Sequence, residues 1–298
     1  MYLQESRYNN ACYYIRSSWS NGTEVVWGAW QLVGHPHFVA TAWSAEDLAT
    51  LVPQYVKFNG STIKLAWDIT YDFSNGINGE YNDIQLGNDI TIEGGRNSKI
   101  YCNYTGGVST VENNYSIFHK KVGAGGFTLR GLNFECYNIR YCVHDEDDTA
   151  DEIYHNNYIN CDMYKNDLGK SSGNAERMWY CQCIGGGLGK SGDILIEGCK
   201  LISKNDLESA DPSEVTEVSY HNYGGTSNDT KGSSHITMVG NYFEHTARVT
   251  YYGSQTAVST ALISNNSCGS RLPFIRGETN TETIVNMELL SWNNFLRS

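Results

Sequence analysis

The chain has 298 residues, a formal net charge of −12 and a pI near 5.1, with 40% hydrophobic and 18% charged residues. The acidic balance argues against a nucleic-acid partner, which needs a basic face. There is no apolar run long enough to span a bilayer, and Met1 to Asn10 does not read as a signal peptide.

Residues 1–86 form the first region. It is heavy in tryptophan (Trp19, Trp27, Trp30, Trp43, Trp67), and Ser44-Ala-Glu-Asp followed by Leu48, Leu51 and Val52 predicts a short capped helix. Ser44 can accept from the backbone N–H of Asp47, and the two acids suit the positive helix end. This region is expected to cover the open end of a strand stack, with the aromatics as the core of that cap; a sugar platform or docking surface is the alternative.

Residues 87–298 carry a repeated phrase: a period-two strand, a Gly or Asn, then an apolar residue. The copies are ITIEGG (Ile90 to Gly95), FTLRGLNF (Phe127 to Phe134), EIYHNNYI (Glu152 to Ile159), ILIEGCKL (Ile194 to Leu201), ITMVGNYF (Ile236 to Phe243) and ALISNNSC (Ala261 to Cys268), with ELLSWNNF (Glu288 to Phe295) as a degenerate last copy. The turn positions are read at Gly94, Gly131, Asn156, Gly198, Gly240, Asn265 and Trp292, a unit of roughly 25 residues lengthened by insertions. Gly and Asn tolerate the left-handed backbone that such a turn requires. A coil this short holds neither two helices nor a propeller blade. The expected fold is therefore all-β, a right-handed parallel β-helix with an N-terminal capping segment that contains a short helix.

Cysteine usage fits that core. There are nine cysteines, an odd number, and most of them fall in or beside the strands, so they are expected to be small core residues, with stacked ladders, rather than a disulfide framework. Cys181-Gln182-Cys183 has no second pair at zinc-ligand spacing, and no metal site is expected. The acidic run Asp145 to Asp148 with Asp151 and Glu152 offers oxygen ligands that suit calcium, the one candidate cofactor; a solvated acidic turn is the alternative.

A later strand in each coil carries the candidate chemistry: RYCVHDE (Arg140 to Glu146), RMWYCQC (Arg177 to Cys183), EVSYHNY (Glu217 to Tyr223), RVTYYGS (Arg248 to Ser254) and LPFIRGE (Leu272 to Glu278). With Val143, Trp179, Tyr220 and Val249 inward, alternation sends His144, Tyr180, His221 and Tyr252 outward as one ladder, with Glu146 and Gln182 on the same face. Aromatic rings and directional polar groups together suit sugar rings and hydroxyls. The ligand-binding candidates are Tyr180, Gln182, Tyr252 and Arg248; Glu146 with His144 or His221 supplies an acid and a base. Stacking for stability alone is the competing explanation of such a ladder.

From about Leu86 onward the chain resembles the pectin-lyase-like superfamily of right-handed β-helices. The phrases Tyr141-Cys-Val-His144-Asp-Glu146, Ile184-Gly-Gly-Gly-Leu-Gly-Lys190 and Tyr220-His221-Asn222 are similar to β-helix proteins of bacteriophage tails and prophages. The resemblance implies a host-surface polysaccharide as ligand, a virion or extracellular location, often a homotrimeric spike, and in some members depolymerase activity. A free polysaccharide lyase or glycoside hydrolase and a non-enzymatic structural virion component are the alternatives. Arg271-Leu-Pro-Phe-Ile-Arg276-Gly277 is similar to the Arg-x-Pro-x-x-Arg-x-Gly pattern of the pectate lyases, shortened by one residue, which makes Arg276 a catalytic candidate. The lyase phrase Trp-Ile-Asp-His is absent, and the lyases' calcium acids have no residue-by-residue match here.

Overall fold

A computed structural model describes residues 2–5, 13–16, 18–20, 25–27, 31–32, 38–104, 115–120, 125–145, 154–167, 182–188, 192–205, 217–222, 234–244, 247–249, 258–269, 275–276, 288–292 and 295–296. The first strands are antiparallel: β1 (Tyr2–Glu5), β2 (Tyr13–Arg16) and β5 (Gln31–Leu32) make one small sheet, and β3 (Ser18–Ser20) with β4 (Val25–Trp27) makes a hairpin pair.

From β6 (Val39–Ala42) onward every strand pairing between named strands is parallel. After the helix α1 (Ala45–Tyr55) the chain winds through coils of three strands. They are β7 (Thr62–Leu65), β8 (Thr70–Asp72) and β9 (Ile84–Leu86); β10 (Ile90–Glu93), β11 (Lys99–Asn103) and β12 (Ser116–Lys120); β13 (Phe127–Arg130), β14 (Asn133–Tyr137) and β15 (Tyr141–Asp145); and β16 (Tyr154–Ile159), β17 (Asp162–Asp167) and β18 (Gln182–Leu188). Then follow β19 (Gly192–Glu197), β20 (Lys200–Asn205) and β21 (Val218–Asn222); β22 (Ser234–Val239), β23 (Tyr242–Phe243) and β24 (Ala247–Val249); β25 (Val258–Ser264), β26 (Ser267–Cys268) and β27 (Ile275–Arg276); and a last pair, β28 (Glu288–Trp292) and β29 (Phe295–Leu296). Strands of equal rank stack into parallel sheets of nine, eight and seven strands, so the protein is a parallel β-helix. Residues 62–86, on the cap side of the division drawn from the sequence, form its first coil.

Helix α1 begins as its sequence predicts: the Ser44 side chain accepts from Asp47 N at 3.1 Å, and Glu46 and Asp47 occupy the first turn. Ala45, Leu48 and Val52 are buried, and α1 packs on β6, β7, β8 and β9, covering the end of the first coil. There the buried Tyr71 hydroxyl donates to Ala42 O and accepts from Ala66 N.

The corner between the nine- and eight-stranded sheets explains the Gly and Asn signal. Gly131, Gly198, Gly240 and Asn265 have positive φ and lie at successive corners of the stack on either side of Asn160, and the N–H groups of Gly131, Gly198 and Gly240 bond to the next coil. At the corner between those of Gly131 and Gly198 the residue is Asn160 (φ 52), not Asn156. Asn156 is instead fully buried inside β16, in register with Phe127 and Ile194. Gly94 stands at the second coil's corner, against the Gly131 carbonyl, with no left-handed φ. Trp292 pairs with Ser264, one residue before the corner, so position 293 is the corresponding one and lies outside the described residues.

One residue past each corner the side chains stack inward as Leu132, Cys161, Cys199, Asn241 and Asn266, all buried. Asn241 Oδ1 accepts from Cys199 N at 2.8 Å, Asn266 Oδ1 accepts from Asn241 N at 2.9 Å, and their amide nitrogens donate to Ile196 O and Met238 O. Each side-chain amide thus satisfies backbone groups that the turn leaves without a ladder partner. Cys161 N donates to Cys199 Sγ at 3.4 Å, so the expected cysteine ladder is present. All seven cysteines among the described residues are buried free thiols.

Candidate functional site: two outer sheet faces

Register places the sequence-derived candidates on the seven-stranded sheet but not in the order that residue types suggest. His144 pairs with His119 on one side and Gly185 on the other, and the same row continues through Ser219, Arg248 and Arg276. His221 pairs with Gly187, two residues along, so His144 and His221 do not share a row. Val143 and Tyr220 are buried, as the alternation requires. Glu146, Tyr180 and Tyr252 lie outside the described residues, as do Asp147, Asp148, Asp151 and Glu152 of the acidic run.

Burial overturns the expected exposure of His144 and Gln182. His144 is 4% exposed and Gln182 2%. The His144 ring stacks on His119 with centroids 4.4 Å apart and an interplanar angle of 21°, and the Tyr141 ring is 5.2 Å away. Tyr141 in turn occupies the space above Gly185, where a Cβ would come within 2.5 Å of the ring. His119 is held by Asp83 at 3.1 Å. His119 and Tyr141 lie against His144, and with Gln182 buried as well neither His144 nor Gln182 presents a surface to a ligand.

Inside the same strand, Asp145 is 1% exposed and cannot join a calcium site at the surface. It accepts from Asn156 Nδ2 at 2.6 Å, Tyr158 Oη at 2.9 Å and Tyr220 Oη at 2.8 Å, joining three coils through one carboxylate. Burial, and then the Asp145 charge, push both tyrosines well above their ordinary pKa. The buried Lys120 is the register partner of Asp145 and lies 4.0 Å from the Tyr154 ring centroid. This buried polar cluster is why Asn156 sits inside a strand: a carboxylate is there to receive its amide.

The eight-stranded sheet presents a different outer face. On β11, β14 and β17 the inward residues are Ile100 and Cys102, Phe134 and Cys136, and Met163 and Lys165. The opposite parity carries the partly exposed Tyr101, Glu135, Tyr137 and Tyr164. Tyr101, Glu135 and Tyr164 share a row, and Tyr137 stands beside Glu135 on the same strand face. The Tyr137 centroid is 6.1 Å from that of Tyr101 and 5.8 Å from that of Tyr164, each pair edge to face at 61°. Glu135 accepts from Lys99 Nζ at 2.6 Å and from Tyr137 Oη at 3.0 Å. The Lys99 hydrogen bond holds the Glu135 carboxyl below the usual carboxylate range, while burial and then Glu135 push the Tyr137 phenol up to about 12. Asn138 Nδ2 donates to Asn103 Oδ1 and Asn166 Nδ2 to the Tyr164 hydroxyl, adding amide groups beside the rings.

No protein-family model, curated protein or solved structure matches the chain. Sequence reasoning missed Tyr101, Tyr137 and Tyr164 because it looked for the ladder in the third strand of each coil. The signal was available in KIYCN, NFECY and DMYKND, where the apolar and cysteine positions fix one parity and leave the tyrosines on the other.

Proposed function

We propose that the chain is a glycan-recognition β-helix that binds a cell-surface polysaccharide through the outer face of the eight-stranded sheet. The observation that carries this reading is the run of Tyr101, Tyr137 and Tyr164 on successive rungs, partly exposed and flanked by a carboxylate, an ammonium and side-chain amides. Aromatic rings contact the C–H faces of sugars, and fixed donors and acceptors select hydroxyls. Successive rungs lie ~4.8 Å apart, comparable with the length of one sugar residue. The resemblance of the sequence to pectin-lyase-like and bacteriophage tail β-helices supports the same ligand class and an extracellular or virion setting.

Recognition rather than turnover is the activity this face suits, because the carboxylate beside the rings, Glu135, is engaged by Lys99 and Tyr137. The test is a panel of immobilised polysaccharides probed with the wild-type chain and with a Tyr101→Ala/Tyr164→Ala double variant, with reducing-end release followed in parallel. Binding by the wild type and its loss in the double variant, without sugar release, is the expected result. Equal binding by both proteins would remove the strip from the account, and release of reducing ends would make the protein a depolymerase.

A further inference from the structure

The ligand class follows from how this face handles charge. On and beside the strands of the eight-stranded sheet, the described outward charges are Lys99, Lys200 and Lys204 against Asp72, Glu135, Asp162 and Glu244. The cation closest to the tyrosines, Lys99, is already neutralised by Glu135 at 2.6 Å, and its Nζ lies 5.6 Å from the Tyr101 centroid. Among the described residues the face therefore offers no surplus positive charge to a uronate, sulfate or phosphate, and the chain as a whole carries −12. Nor is it an apolar docking patch: the exposed large hydrophobics among the described residues are Val39 on β6, Trp43 just after it and Trp67 in the corner between β7 and β8, none of them on β11, β14 or β17.

We infer that the ligand is a neutral, unbranched glycan lying along the helix axis across β11, β14 and β17. This inference rests on the reading of the tyrosine strip as the glycan site. The three rings come from consecutive rungs, with Tyr137 set two residues along its strand from the Tyr101–Tyr164 row, so they zigzag up the axis. An extended chain in that direction meets one ring per rung. Glu135, with its Lys99 and Tyr137 bonds, holds the middle of the run in place, and the amides of Asn103 and Asn138 lie beside it for neutral hydroxyls. A polyanion would instead meet Glu135, already paired with Lys99, and Asp162, whose register partner is Lys200, so that each described cation there has an acid beside it.

The experiment is calorimetric titration of the full chain, and of Tyr137→Ala, with three soluble probes: a neutral mixed-linkage glucan or galactomannan, polygalacturonate, and dextran sulfate, each at low and high ionic strength. Binding of a neutral polymer is expected, with a dissociation constant that changes less than twofold with salt and rises about tenfold in Tyr137→Ala. Preferential, salt-sensitive and Tyr137-dependent binding of a polyanion would overturn the neutral class while leaving the strip as the glycan site. Binding that Tyr137→Ala leaves unchanged, or no binding of any probe, would overturn the strip and this inference with it.

Discussion

The outer faces of the seven- and eight-stranded sheets carry similar side-chain types and use them differently. On the seven-stranded sheet His119, His144 and Tyr141 stack on one another until His144 is 4% exposed. On the eight-stranded sheet Tyr101, Tyr137 and Tyr164 meet edge to face and stay partly open. The difference comes from a neighbour that has no side chain. Gly185 lets the Tyr141 ring lie down over the sheet beside His144, whereas each tyrosine of the other strip has a full-sized neighbour in its row. Outward parity thus makes a side chain available to solvent only when the adjoining rung does not let another ring fold over it.

The strongest way to break this comparison is to remove the interior support of the histidine row. Asp145→Ala strips three hydrogen bonds from one buried carboxylate and leaves Lys120 and two tyrosine hydroxyls in the core. It should cost about 3–5 kcal/mol in urea unfolding, with expression of folded protein as a first readout. A loss below about 1 kcal/mol would mean that the core rearranges around the vacancy.

Gly185→Ala sharpens the same contrast with a smaller effect. The new methyl would come within 2.5 Å of the Tyr141 ring, so the ring must lift away from the sheet. The expected cost is about 1–3 kcal/mol, together with increased reactivity of His144 toward an imidazole-modifying reagent. Unchanged reactivity would show that something other than Tyr141 shields His144.

Next in size comes the pair Tyr137→Ala and His144→Ala. The first should weaken binding of the neutral glycan by about 1–2 kcal/mol with little change in stability, through loss of ring contact. The second should lower stability by about 1 kcal/mol through loss of the His119 stack and leave affinity unchanged. Titration calorimetry and thermal unfolding on both variants check the assignment, and an affinity loss confined to His144→Ala would reverse it.

The smallest effect expected is that of pH. Glu135 has a folded-state pKa below its ordinary value, so its contribution is fully present above the unfolded pKa and is lost only as pH falls through the folded one. Tyr137 ionises near 12. Affinity should therefore be flat from mildly acidic through neutral pH and decline only below the usual carboxylate range. A midpoint near neutrality would point to a histidine such as His119 in the site.

Much of the fold was legible in the sequence because the corner imposes a backbone condition that few residues meet. Gly131, Gly198, Gly240 and Asn265 were readable as corners for that reason. Asn156 was misread because its phrase matches the pattern, and only the buried Asp145 carboxylate explains why an amide sits inside the strand there while Asn160 makes the turn. The side-chain ladder was less legible. Loop lengths differ between coils, so similarity of residue type cannot set register, and His144 and His221 fall in different rows. The tyrosine strip had a clear parity signal in Ile100 and Cys102, Phe134 and Cys136, but its openness depends on neighbours on the adjoining rungs, far along the sequence.

The most direct measurement is a crystal structure of the chain with a bound neutral oligosaccharide. The account predicts sugar rings against Tyr101, Tyr137 and Tyr164, aligned with the helix axis and bonded to Glu135 or the adjacent amides. Sugar density against the seven-stranded sheet, over the His119–His144 stack with the tyrosine strip bare, would contradict it.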